Sequence, residues 1–138
     1  MAYEMPVLRV SLPANSDLSA NQYEVVYQTT GGYVAITTGG LAKSLGVLQD
    51  KPQSSGCICN VMVQGITKVR VGSSSGLEAA IFAGGYLATT GGGVYGSSGA
   101  ATLRIVGMAL DGCSTFGATT GLRPLIPMLV MRSYVLST

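Results

Sequence analysis

The side chains able to do chemistry in this chain are few and poorly partnered. There are six carboxylates (Glu4, Asp17, Glu24, Asp50, Glu78 and Asp111), three cysteines (Cys57, Cys59 and Cys113) and no histidine. Without histidine there is no Ser-His or Cys-His pair, and the commonest zinc ligand is missing. Two facing carboxylates at the right separation can hydrolyse a glycoside. Asp50 and Asp111 are the one pair in a repeated context, each at a predicted strand end before a turn. An aspartate there ordinarily accepts hydrogen bonds from turn amides. The structural role is the expected one, and a hydrolase built on Asp50 and Asp111 is the competing reading.

Cys57 and Cys59 are two residues apart, so on a strand they share a face. Such neighbours do not readily form a disulfide, and a metal would want a second cysteine pair or a histidine. Three free thiols acting as small apolar residues are expected, with no metal and no cofactor. The cluster 91–96 (Gly-Gly-Gly-Val-Tyr-Gly) has no following Lys-Ser/Thr and opens no predicted helix. It therefore fails as a phosphate loop. Ser73, Ser74 and Ser75 have no base partner and read as linker.

The elements that must hold these residues are mostly strands. Short β-branched or alternating segments are bounded by Gly, Ser, Thr or Pro, which is the all-β pattern. Strands are expected at residues 7–12, 23–29, 33–37, 44–49, 57–63, 66–71, 103–110 and 125–136, the last bent at Pro127. Tyr23, Val25 and Tyr27 should share a face. A Gly31-Gly32 turn joins two of the strands. Residues 72–76 read as a flexible connector, 77–82 as a short helical turn, and 84–101 and 112–121 as loops.

The chain also matches itself. Leu45-Gly46-Val47-Leu48-Gln49-Asp50 and Val106-Gly107-Met108-Ala109-Leu110-Asp111 share the pattern apolar-Gly-apolar-apolar-x-Asp. Upstream, residues 18–23 align with 81–86, pairing Tyr23 with Tyr86 63 residues on. Gly31-Gly32 aligns with Gly92-Gly93, 61 residues on, and a two-residue deletion in between would absorb the drift. Chance in a glycine-rich chain is the alternative; a true repeat of this length implies one domain of two β-units rather than a solenoid.

Composition sets limits on partners. Charged residues are 10% of the chain, against about 25% in an ordinary soluble domain. Either much of the surface is covered by other subunits, or it is neutral but wet with Ser, Thr and Gly. The net charge of +2 is scattered, so no nucleic-acid stripe is expected. No apolar run approaches the ~20 residues of a membrane helix. No signal-peptide pattern opens the chain, so manufacture and use without export are expected.

The expected architecture is therefore all-β: a small β-barrel or sandwich-like single domain of two similar β-units (repeats 18–71 and 81–138 within a domain 14–138). An extended N-terminal arm, residues 1–13, precedes it. Pro6 and Pro13 bracket the arm, and its apolar residues suit docking or strand addition to a partner. An ordinary first strand is the equal alternative.

The ordered motifs Val7-Leu8-Arg9-Val10-Ser11-Leu12, residues 17–23, Leu45-Gly46-Val47-Leu48-Gln49-Asp50-Lys51-Pro52, residues 61–69, Ile81-x-Ala83-Gly84 and Val106-Gly107-Met108-Ala109 resemble a known family. It is the decoration, or capsid cement, proteins of tailed bacteriophages. Gly85 stands where that family usually has Asp, and the 112–121 loop is longer and lacks its acidic residues. The resemblance implies a non-enzymatic protein on the outer surface of the virion, made in the host cytoplasm. It would brace neighbouring major capsid protein subunits, commonly as a homotrimer gripping the shell through its N-terminal segment. Tyr3, Met5, Val7, Leu8, Arg9 and Val10 are then the expected capsid-binding residues, with no nucleic acid or membrane partner. A β-barrel module binding glycans or host surfaces is the alternative from another class.

Overall fold

The computed structural model describes residues 4–38, 43–72, 81–90, 92–96, 103–113 and 123–136. All regular structure among them is strand: β1 (Met5–Pro13), β2 (Val25–Gln28), β3 (Val34–Ile36), β4 (Gly46–Leu48), β5 (Ile58–Arg70), β6 (Tyr86–Thr90), β7 (Gly93–Gly96), β8 (Leu103–Ala109) and β9 (Leu125–Leu136). They form one curled antiparallel sheet, a half-barrel, in the order β3-β2-β4-β5-β9-β8-β6-β7, with β1 paired to β5. The all-β expectation holds.

The sheet order reads the same from both ends, because the chain is a repeat. In the first unit the hairpin β2-β3 lies beside β4, and β4 beside β5; in the second, β6-β7 lies beside β8, and β8 beside β9. Gly46 sits opposite Val26, and Gly107 opposite Leu87. Leu48 N–H donates to Glu24 O, and Ala109 N–H to Gly85 O. Tyr23 N–H donates to Leu48 O, and Gly84 N–H to Ala109 O. Ala14 forms a parallel bridge with Val34, and Val71 one with Val94.

These bonds correct the alignment read from sequence. Leu18 N–H donates to Pro52 O and Ile81 N–H to Cys113 O, so the pairing of Leu18 with Ile81 stands. The counterpart of Tyr23, however, is Gly84, not Tyr86. Both residues have positive φ, 66° and 81°, a conformation that costs a side-chain-bearing residue but not glycine. The two-residue deletion therefore falls just after Leu18 and Ile81. The glycine register moves too: Gly32 (φ 87°) corresponds to Gly92 (φ 85°).

The repeat is also longer than the motifs suggested, and the two copies share a strand. Ala14 N–H donates to Cys57 O as Val71 N–H does to Pro124 O, with β1 leading into the first and the end of β5 into the second. Pro13 opposite Ile58 matches Arg70 opposite Leu125. β5 thus returns for the first unit and leads into the second. Gly65, at φ 128°, bends it there, with a Cβ position only 2.4 Å from Met5 O. At Gly65 and Ile66 the strand is central, with β1 on one side and β9 on the other. The two strands expected at 57–63 and 66–71 are consequently one.

Each unit has its own core at matching positions. The first buries Ala14, Leu18, Val26, Val34, Leu48, Cys59 and Val61. The second buries their counterparts Val71, Ile81, Leu87, Val94, Ala109, Ile126 and Met128, joined by Val25 and Val47 from the first unit. Those two valines contribute about 1.5–3 kcal/mol each by burial and fasten one unit to the other.

Other expectations change locally. Tyr23 precedes β2 in a turn conformation, so it does not share a strand face with Val25 and Tyr27. The stretch 84–101, read as loop, holds β6 and β7: Gly, Thr and Ala dilute its apolar pattern, and backbone pairing on both sides of β6 makes it a strand. The helical turn at 77–82 and most of the connector and the 112–121 loop lie outside the described residues; the described Ile81 pairs with Cys113.

Candidate functional site

β1 is anchored at one end and open at the other. From Arg9 to Pro13 it keeps regular register with β5, and Val10 and Leu12 pack against the first core. Bulges between Pro6 and Leu8, and between Leu8 and Arg9, break the ladder. A bulge disturbs the strict alternation of side chains. Met5 (56% exposed), Val7 (71%) and Leu8 (48%) all reach solvent as a result. Among the described residues no second strand pairs with β1. It is thus an integral edge strand whose first half is uncovered, which joins the two readings of the arm. Of the expected binding residues, Met5, Val7, Leu8 and Arg9 are exposed, Val10 is half-buried, and Tyr3 lies outside the described residues. Arg9 lies 3.9 Å from Glu4 on the surface, an ion pair worth little.

The carboxylates have local structural partners. Asp50 accepts hydrogen bonds from the Asn60 N–H and side-chain amide across the sheet at 3.1–3.2 Å, fastening the turn before β5. Asp111 accepts from Gly112 N–H at 2.8 Å. Asp17 is held below the ordinary carboxylate value by hydrogen bonds from Ser19, first the hydroxyl and then the N–H.

Glu24 is the buried exception, and no local pattern in the sequence marks it. Its carboxylate bonds Arg123 Nη2 at 2.8 Å and Asn21 Nδ2 at 2.8 Å. Arg123 Nε also donates to Val71 O. The would-be Cβ of Gly92 lies 2.5 Å from Glu24 Oε2, so only glycine admits the carboxylate there. This cluster joins the start of β2 to the second unit and is fully used in doing so.

The three cysteines are free thiols. The Ser54 side-chain hydrogen bond pulls the Cys57 thiol down, whereas burial pushes the Cys59 thiol up. No group of three metal-ligating side chains occurs among the described residues. An open groove of about 680 Å³ lies where β4 and β5 separate, lined by Leu45, Val63, Leu129, Val130 and Met131 with Ser44 and Gln64. It has shape and apolarity but no titratable lining group among the described residues. Two aromatic side chains, Phe82 and Tyr86, are exposed on either side of one turn.

Comparison with protein-family models, with curated proteins and with solved structures finds no match for this chain.

Proposed function

We propose that this protein is a non-enzymatic capsid decoration, or cement, protein. It binds the outer surface of a tailed-phage head and braces neighbouring major capsid protein subunits. The observation that carries the reading is the uncovered half of β1, with Met5, Val7 and Leu8 turned to solvent on an edge strand that pairs, among the described residues, with β5 alone. Soluble domains protect such edges with charge, and this chain has little to spend there: Glu4 and Arg9 alone flank the patch. Pro6 and the bulges interrupt the edge, so side-chain contacts rather than a long backbone ladder supply the grip. Many weak contacts repeated over a lattice give avidity without a deep pocket. The ordered resemblance to the decoration family points the same way.

The test is sedimentation of purified protein with undecorated heads. Wild-type protein should pellet with them, and Val7→Lys/Leu8→Lys should not while keeping its circular dichroism. Failure of the wild type to bind heads would remove the reading. Exposed Phe82 and Tyr86 favour a second one, a glycan- or host-surface-binding module. Glycan-array binding lost in Phe82→Ala would support that instead.

A further inference from the structure

Three separate features of the structure meet at one place, the end of β5 beside Tyr23. Arg70 Nε is buried without a hydrogen-bond partner, the one such side-chain atom among the described residues. A buried donor left unpaired is costly, so it needs an acceptor. Tyr23 is the one non-glycine residue with positive φ among the described residues. Its counterpart Gly84 makes the same turn without that cost, so what sets the first unit apart is the ring. That ring faces a cation: Lys68 Nζ lies 5.7 Å from its centroid.

Backbone pairing brings the three residues together. Arg70 N–H donates to Tyr23 O at 2.8 Å. Lys68 and Arg70 are two apart on β5 with buried Val69 between them, so they share the opposite face. Across from Arg70 stands Leu125, 39% exposed. Across from Ile66, next along the same face, stands Met5 of the uncovered β1 patch. Like charges side by side on a half-buried face repel. Yet no carboxylate among the described residues pairs with Lys68 or Arg70. Glu4 lies with Arg9 and Glu24 with Arg123, while Asp17, Asp50 and Asp111 accept from Ser19, Asn60 and Gly112.

We infer that this face is a carboxylate-binding site: Arg70 takes an acidic side chain of a partner protein on its guanidinium fork, Nε–H included, with Lys68 held alongside by the Tyr23 ring. A guanidinium offers Nε–H and Nη–H as parallel donors that match the two oxygens of a carboxylate. Leu125 at one end and Met5 beyond Ile66 at the other add apolar surface, which suits a protein segment better than a free ion. Two cations suffice for one carboxylate, whereas a nucleic-acid backbone wants a longer basic stripe. The site stands without the cement reading, although its continuity with Met5 lets one partner contact both.

Nuclear magnetic resonance of the isotope-labelled full chain tests it. The probe is N-acetylglutamate N-methylamide, and its glutamine counterpart is the uncharged control at matched ionic strength. The Arg70 Nε–H and the amides of Lys68 and Arg70 should shift saturably at millimolar probe and not with the control. Arg70→Lys keeps the charge and loses the fork, so it should weaken binding about tenfold. Lys68→Gln should weaken it by a smaller factor. Tyr23→Gly should keep the fold, as Gly84 does in the same turn, and weaken binding because Lys68 loses its ring. Tyr23→Leu gives the same reading should the glycine variant unfold. Equal binding by Arg70→Lys overturns the inference, since charge alone then explains it. So does the absence of a saturable shift, which leaves Arg70 Nε to water. Tighter binding of inorganic phosphate or of an oligothymidylate also overturns it, by assigning the site to phosphate. Unchanged binding in both Tyr23 variants overturns the part given to the ring. No heads enter this experiment, so its failure leaves the head-binding reading untouched, and failure to bind heads leaves the site standing.

Discussion

Gly46 and Gly107 hold the same position in the two units, and both admit a neighbouring strand where a side chain would not fit. A Cβ on Gly46 would lie 2.1 Å from Met62 O. One on Gly107 would lie 2.6 Å from Leu129 O and 2.5 Å from Met128 Sδ. Met62 and Leu129 are themselves matched, opposite Val47 and Met108. The glycine in the repeated sequence motif is thus a packing requirement met twice.

Alanine at either glycine should therefore destabilise the fold, by about 1–3 kcal/mol as for other overpacked sites. Gly46→Ala should cost more, because the backbone oxygen it meets is closer, 2.1 Å from the added Cβ against 2.6 Å at Gly107. Urea unfolding midpoints of the two variants check both the losses and their order.

Arg123→Met should be more damaging than its half-exposed position suggests. It leaves the buried Glu24 carboxylate with Asn21 as its remaining side-chain partner among the described residues, and breaking a buried pair from one side costs about 3–5 kcal/mol. Because Arg123 is partly open to water, the lower end is expected. Replacing both residues, as Glu24→Gln/Arg123→Met, should recover part of the loss in the same unfolding assay.

The three thiols should differ in reactivity in the native protein. Cys57, half-buried and lowered by Ser54, should react first with a maleimide; buried Cys59 should react only on unfolding. Ser54→Ala should slow Cys57 at neutral pH. Mass spectrometry of timed samples reads the order. Titration of denatured, unreduced protein should count three thiols.

Asp17 supplies a pH-dependent contribution of known sign. Its carboxyl is lowered in the folded state, so the stabilisation is present above the unfolded value near 3.8 and is lost as pH falls through the folded value. Melting temperatures of wild type and Asp17→Asn should accordingly differ at neutral pH and converge in acid. A difference that persists unchanged at the acid end would assign the effect to the turn rather than to the charge.

Much of the fold was legible in the sequence, because strand signals and the repeated motif are local. β9 appears with its expected bounds, and the matched positions of Gly46 and Gly107 were visible in the motif itself. The alignment slipped where side-chain identity and backbone role part company. Tyr23 resembles Tyr86 chemically, yet it adopts the turn conformation that Gly84 adopts. β6 and β7 were hidden because Gly, Thr and Ala dilute their apolar pattern, although the two strands pair with each other across a short turn. Distance in sequence hid the Glu24–Arg123 pair, whose members are 99 residues apart. The candidate surface on β1 was half legible: its apolar residues stood out, but the bulge that turns Val7 and Leu8 outward did not.

The shared strand β5 also bears on how the protein folds and can be divided. No cut between the units leaves both whole, since any boundary within Ile58–Arg70 takes a strand from one of them. Removing residues 1–12 would likewise strip β5 of its partner and open the first core at Val10 and Leu12. The halves should melt as one transition rather than two. The duplication in this chain behaves less like two beads on a string than like two rooms divided by a single wall, which neither can lose and remain standing.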